Sequence, residues 1–277
     1  MRYGIANRAG QVERDAAEAI IARAHASGFD LLDTAVAYGD SERRLGEIGV
    51  ADWRIVSKLP AAPAGCSDYD AWALECLESS LRRLRVKRLY GLLFHRPGQL
   101  LEPSGAKLYH ALTLLRERGL VEKIGVSVYS PEELDAIFSL FRFDIVQAPF
   151  NVIDRRLLNS GWLRRLHGDG VEVHTRSVFL QGLLLMNSKT RPARFDTWAE
   201  LWSEWHRWLE DQAVDPLAGC LSFVRSFEEI DRIVIGVDSV SQLEAILEVG
   251  EIPAGTVPSS LMSNDLQLID PSMWCQG

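Results

Sequence analysis

A chain of 277 residues with 47% apolar composition can bury one large core, and a single barrel domain of about 250 residues would use nearly all of it. Its formal net charge of −8 argues against a nucleic-acid-binding surface, and no apolar run approaches the ~18 residues of a membrane-spanning helix. Met1-Arg2-Tyr3-Gly4-Ile5 lacks the apolar region of a signal peptide, and the four cysteines show no C-x-x-C spacing, so a cytoplasmic protein with reduced thiols is expected.

Short apolar strands alternate with amphipathic helices from end to end. Strands are expected at Tyr3–Ala6, Leu31–Thr34, Ile55–Ser57, Tyr90–Phe94, Ile124–Ser127, Ile145–Gln147, Val171–Thr175 and Ile233–Ile235. Their unbroken apolar character suits parallel strands covered on both faces. Between them, helical patterns run over Arg14–Ser27, Tyr69–Arg85, Leu108–Arg118 and Pro131–Leu140, the last opening on the capping-box signature Ser130-Pro131-Glu132-Glu133. The cluster from Arg82 to Arg88 reads as the solvated end of a helix. Leu183–Asp196 reads as a long loop, and Trp198, Trp202, Trp205 and Trp208 then fall at the spacing of a helix core face.

Eight such strands with intervening helices point to a (β/α)8 TIM barrel in one domain, 1–277, with residues 251–277 as a tail. No G-x-G-x-x-G follows any strand, which removes the main sign of a Rossmann unit.

In a parallel barrel the strand C-termini open onto one face, and that is where chemistry is placed. Asp33, Lys58 and His95 close or follow apolar runs, and Tyr38 sits in the loop after the first of them. Singly each has a bland reading: Asp33 as a buried partner of Lys58, His95 as a core histidine, Tyr38 as a loop aromatic. Together, a carboxylate, a phenol, an ammonium and an imidazole form a set able to manage one proton. His25, His110, His167, His174 and His206 lack such a context and read as surface or packing residues.

Asp33-Thr34-Ala35-Val36-Ala37-Tyr38-Gly39-Asp40-Ser41-Glu42, followed by Leu45-Gly46, resembles the second strand-and-loop signature of the aldo-keto reductases. Ser57-Lys58, Phe94-His95-Arg96-Pro97, Ile124-Gly125-Val126-Ser127 and Gln147-Ala148-Pro149-Phe150-Asn151 are similar to that family's next landmarks, in the same order. The resemblance implies NADPH- or NADH-dependent interconversion of a small-molecule carbonyl and its alcohol, without a metal, with Asp33, Tyr38, Lys58 and His95 as catalytic tetrad. Hydride addition builds negative charge on the carbonyl oxygen, so an acid must donate a proton as it develops. A free phenol, with a pKa of about 10, is a poor acid near neutrality, and an adjacent ammonium such as Lys58 improves it.

The resemblance also implies a cofactor grip. Ser127 and Gln147 match positions that hold the nicotinamide carboxamide. Val128 stands where the family usually has asparagine, and Arg176 stands where an aromatic commonly stacks on the ring, next to Ser177. A cation there disfavours oxidised nicotinamide. Gly236, Asp238, Ser239 and Gln242 fall in the segment that meets the phosphate and adenosine. The family preference is NADPH, but a carboxylate at Asp238 would repel a 2′-phosphate and accept from a ribose 2′-hydroxyl, so relaxed use or NADH is expected. At the other end Ala6 and Asn7 are loose candidates to approach the cofactor, and the usual N-terminal β-hairpin has no counterpart. Trp162, Trp198, Phe150, Arg96 and Arg155 are available as pocket walls or anion contacts, with Arg96 read as a salt-bridged rim residue.

Two other classes compete. A regulatory protein could keep the barrel and the nicotinamide without turnover, which Val128, Arg176 and Asp238 favour. A metal-dependent hydrolase using His95 and Asp33 would require paired histidines that the sequence does not supply.

Overall fold

From Leu31 onward each apolar run folds as a strand. A computed structural model describes residues 11–250 and 257–275. The strand expected at Tyr3–Ala6, with Ala6 and Asn7, lies outside the described residues, as do 251–256 and 276–277 of the tail. Seven strands are described: β1 Leu31–Asp33, β2 Arg54–Leu59, β3 Leu89–Phe94, β4 Val121–Ser127, β5 Ile145–Pro149, β6 Glu172–Arg176 and β7 Arg232–Ile233. They follow one another in chain order, and the pairs β1–β2, β2–β3, β3–β4, β4–β5 and β6–β7 are all parallel. From β2 to β5 nearly every residue is buried, which is why these runs show no polar alternation. The last strand is shorter than expected, although Val234 N–H still donates to Thr175 O at 2.7 Å and prolongs the pairing by one bond.

Helices fill the connections: α1 Arg14–Ala26, α2 Ser41–Ile48, α3 Tyr69–Leu84, α4 Gly105–Glu117, α5 Pro131–Phe138, α6 Arg156–Asn159, α7 Trp162–Gly168, α8 Ala199–Gln212, α9 Pro216–Arg225, α10 Val240–Glu248 and α11 Leu266–Ile269. The capping box expected at α5 is formed, with Ser130 N–H donating to the Glu133 carboxylate at 3.1 Å. No helix among the described residues is long and apolar enough to cross a membrane.

The chain packs as two compact units. The first holds Ile21–Ala148 and Leu166–Val173; the second holds the described parts of Arg2–Ile20, Pro149–Arg165 and His174–Gly277. In the first unit β1 and β5 stand four places apart, about 19 Å on a flat sheet. Yet Gln147 on β5 donates to Asp33 on β1 at 2.7 Å. Only a sheet curled about its strand axes brings those side chains together. Near the strand starts, Glu172 accepts from Tyr90 Oη and Lys123 Nζ, both at 2.6 Å, and Arg54 lies over the Tyr90 ring. Polar closure at that end is a matter of stability rather than chemistry.

In the second unit the tryptophan stripe is a core face: Trp202, Trp205 and Trp208 are buried, and the last two stack at 5.4 Å. Trp202 and Trp205 donate to the carbonyls of Phe195 and Leu184, tying α8 to the segment before it. That segment, expected as a plain loop, carries 3₁₀ turns at Leu180–Leu185 and Ala193–Trp198. Arg191 fastens it: the guanidinium lies 4.3 Å from the Trp202 ring centroid and its Nη2 donates to His206 Nε2 at 2.9 Å.

Burial, reinforced by the Arg191 cation and only partly opposed by Glu210, holds the His206 imidazole below its usual range. The unfolded chain therefore binds this proton more readily, so the contribution is present above the unfolded value of about pH 6.5 and is lost as pH falls below that and through the lower folded-state value. Against His206→Gln, whose amide can still accept from Arg191, the native protein's melting temperature is expected to drop faster between pH 7 and 5. A constant difference between the two across that range would refute the assignment.

Candidate active site

The first unit assembles the site around β1 and β2. Lys58 is 1% exposed, and its ammonium donates to Asp33 Oδ1 at 2.5 Å and to the Thr34 carbonyl at 3.0 Å. Burying an ammonium this deeply is tolerable only with such a partner. After Asp33 the chain leaves the sheet, keeping Thr34 N–H on Val56 O and Val36 N–H on Lys58 O. It then turns at Tyr38 and at Gly39, whose φ of 64° suits a residue without a side chain, and enters α2.

The start of α2 is fastened from below. Glu42, 2% exposed, accepts from Ser57 Oγ at 2.6 Å and from Arg83 of α3 at 2.6 Å. Arg83 is thus turned into an ion pair, where the sequence suggests a solvated helix end; Arg82 beside it is exposed as expected. Gly46 belongs to the same contact, since a Cβ there would collide with the Arg83 carbonyl oxygen. Glu42 and Gly46 of the sequence signature are therefore the anchor of the loop that carries Tyr38.

Tyr38 meets His95 edge-on, with ring centroids 5.7 Å apart, and the Lys58 Nζ lies 5.2 Å from the Tyr38 centroid. His95 is placed by the end of β3, its N–H donating to Leu59 O at 3.2 Å. The phenol and imidazole are half-buried while the Asp33–Lys58 pair lies behind them. All four residues expected to act together are brought together in this one unit. The arrangement offers two proton-carrying rings at an accessible position, backed by a fixed positive charge.

Ser127 and Gln147 face one another on β4 and β5, both buried, with Ser127 Oγ 3.4 Å from Gln147 Oε1. Val128 is buried, and its N–H donates to Gln147 O at 2.9 Å. Arg96, expected in a salt bridge, is exposed and carries no ion pair among the described residues.

The second unit holds a separate pocket lined by Ser177, Gln181, Gly182, Gly236, Asp238 and Gln242 over apolar walls that include Leu217 and Val234. It gathers four of the positions expected to bind cofactor, Ser177, Gly236, Asp238 and Gln242. Ser239 caps α10 instead, its Oγ accepting from Gln242 N–H at 3.2 Å, while Asp238 N–H donates to Gln242 Oε1 at 2.8 Å. Arg176 ends β6 and its Nη1 lies 3.4 Å from Ser177 Oγ. Burial raises the Asp238 carboxyl above the usual carboxylate range. Ser177, Leu180 and Gln181 all have positive φ, a concentration of left-handed backbone that single-residue reading does not reveal.

Four of the supposed pocket walls are otherwise engaged. Phe150 is buried against Phe223 and Phe227, and Trp162 is buried too. Arg155 lies over Phe223 and donates to the carbonyls of Val257 and Pro258. Trp198 is half-buried and donates to Asp265. Among the described residues no group of three or more His, Cys, Asp or Glu side chains is placed to hold a metal ion.

Parallel strands in chain order, helical connections and a polar cluster at the strand ends are the features that the comparisons with known proteins bear on. Residues 1–256 match the Aldo/keto reductase family, and the chain belongs to that family. It is 29% identical over 250 residues to an aldo-keto reductase of Mycobacterium sp. (strain JLS), covering 85% of this chain and 87% of the relative. A Mycolicibacterium smegmatis relative is 28% identical over 257 residues, covering 88% and 90%. Among solved structures, the holo form of an aldo-keto reductase from Bacillus halodurans superposes with a TM-score of 0.73 at 19% identity, covering 89% of this chain and 85% of that one. Glycerol dehydrogenase from Gluconobacter oxydans gives 0.68 at 21% identity, with coverage of 85% and 80%. The fold is the (β/α)8 barrel expected from the sequence.

Proposed function

We propose that the protein interconverts a small carbonyl compound and its alcohol with a nicotinamide cofactor, Tyr38 serving as general acid and base. The observation that carries this is the buried Asp33–Lys58 pair, whose ammonium lies 5.2 Å from the Tyr38 ring centroid. The cofactor, when bound, supplies or accepts the hydride. Lys58 biases the phenol toward releasing its proton to the developing alkoxide, and Asp33 keeps Lys58 charged and in place. His95 orients the carbonyl oxygen beside Tyr38. We assign Ser127 and Gln147 to the carboxamide.

To the nucleotide we assign the pocket of the second unit, where an apolar wall and a rim of Ser177, Asp238 and Gln242 suit a base and its sugar hydroxyls. Asp238 accepts from a ribose 2′-hydroxyl there and disfavours a 2′-phosphate. Titrating both reduced cofactors tests this: comparable affinity is expected, with Asp238→Arg moving the balance toward NADPH. An NADPH preference above about a hundredfold (2.7 kcal/mol) in the native protein would sink it. The chain acts as one domain on this reading, and the free thiols at Cys66, Cys76 and Cys220 suit the cytoplasm.

A second reading, a nicotinamide-binding protein without turnover, is favoured by Val128, whose buried side chain has no group to offer an amide. Absorbance of the reduced cofactor, followed with a panel of aldehydes, ketones and sugars, separates the two.

A further inference from the structure

Gln147 has a second engagement besides the one the family resemblance implies. Its Nε2 donates to Asp33 Oδ2 at 2.7 Å, while Lys58 Nζ donates to Asp33 Oδ1 at 2.5 Å. The carboxylate is thus held at both oxygens by charge-assisted hydrogen bonds and cannot rotate without breaking one. Gln147 is itself 1% exposed. An ionised carboxylate only accepts, so the amide must turn its NH₂ group to Asp33, which leaves its oxygen toward Ser127 Oγ at 3.4 Å.

We infer that Gln147 is a positioning residue for proton transfer, fixing Asp33 and thereby the placement and strength of the Lys58 charge that acts on Tyr38. The inference rests on Tyr38 being the group that exchanges the proton. Asp33 shares its negative charge between two donors. The Gln147 amide draws part of it, so Lys58 is less neutralised and its field on the phenol is stronger. Without that amide the carboxylate turns wholly to Lys58, and the phenol becomes a weaker acid. The remaining N–H of Nε2 and a lone pair of Oε1 stay available to a carboxamide, so one side chain serves both the cofactor and the proton. Lys58 from β2 and His95 after β3 face Tyr38, Asp33 from β1 lies behind Lys58, and Asp40 on the same loop is engaged by Arg43 and Arg44.

The test is a titration of Tyr38 in the cofactor-free protein by carbon NMR of ring-labelled tyrosine, the signal assigned with Tyr38→Phe. In Gln147→Met the Tyr38 midpoint is expected to rise by about half a pH unit or more, and further in Gln147→Glu, which sets a second carboxylate beside Asp33. The kcat–pH profile at saturating cofactor is expected to move with it. Ser127→Ala is expected to weaken cofactor binding and leave the midpoint in place. A midpoint unchanged in both Gln147 variants overturns the inference and leaves Gln147 with the cofactor alone. If Gln147→Met does not fold, Gln147→Glu, nearly the same shape, decides. A shifted midpoint in a protein that turns over no carbonyl would remove the catalytic reading of Tyr38 while the electrostatic link stood; turnover with an unmoved midpoint removes the inference alone.

Discussion

Replacing Tyr38 with phenylalanine is expected to lower kcat by at least about a hundredfold, the lower end of what a positioned general acid contributes. Only one hydroxyl is lost. The half-buried ring keeps its edge-on contact with His95, and the Asp33–Lys58 pair is untouched. Cofactor affinity and melting temperature should therefore remain near those of the native protein. That combination separates a chemical defect from a folding one. Near-native turnover by Tyr38→Phe with any carbonyl substrate would remove the phenol from the mechanism, and His95 would then have to supply the proton.

The second large effect is on stability, and it is asymmetric. Asp33→Ala takes the anion away from the Lys58 ammonium, which is 1% exposed and whose bond to the Thr34 carbonyl carries no compensating charge. Breaking a buried pair in this way costs about 3–5 kcal/mol. Lys58→Met removes the charge along with the cation, and Asp33, 11% exposed, keeps its bond from Gln147, so the loss should be markedly smaller. In Asp33→Ala the folded state also binds the Lys58 proton less tightly than the unfolded chain, so its stability should recover as pH rises toward the ordinary lysine range. Denaturant unfolding of the two variants at two pH values reads both effects. Equal losses would show that the pair is not held as described.

The residue types and their order made the fold and the clustering of Asp33, Tyr38, Lys58 and His95 legible. Apolar runs ending at Asp33, before His95 and around Lys58 place those groups at strand ends, because a parallel barrel opens its strands on one face. Burial also accounts for the strand boundaries: β2 and β4 begin earlier than their apolar cores because Arg54 and Glu122 can sit exposed at strand starts. What the sequence concealed was mostly pairing. Nothing in the Arg82–Arg88 cluster marks Arg83 as the member that turns toward Glu42, since that choice depends on how α2 packs on α3. Arg155 and Phe150 have the chemistry of pocket walls, yet packing against Phe223 commits both elsewhere. The left-handed conformations at Ser177, Leu180, Gln181 and Gly182 are likewise invisible residue by residue, for only Gly182 has the composition that invites one.

Glu42 has a reach beyond its own contacts. It holds Ser57, the chain neighbour of Lys58, and it lies four residues beyond Tyr38, so a carboxylate that touches neither ties both to one foundation. The tip between them, with Ala37 exposed and Val36 half-buried, hangs from a fixed footing at each end. With Tyr38 as the proposed acid, evolution or a protein engineer can redecorate that tip to suit a new substrate without recalibrating it. The shape of the tip and the setting of the phenol become separately adjustable because the bolt that secures the phenol is hidden inside the wall.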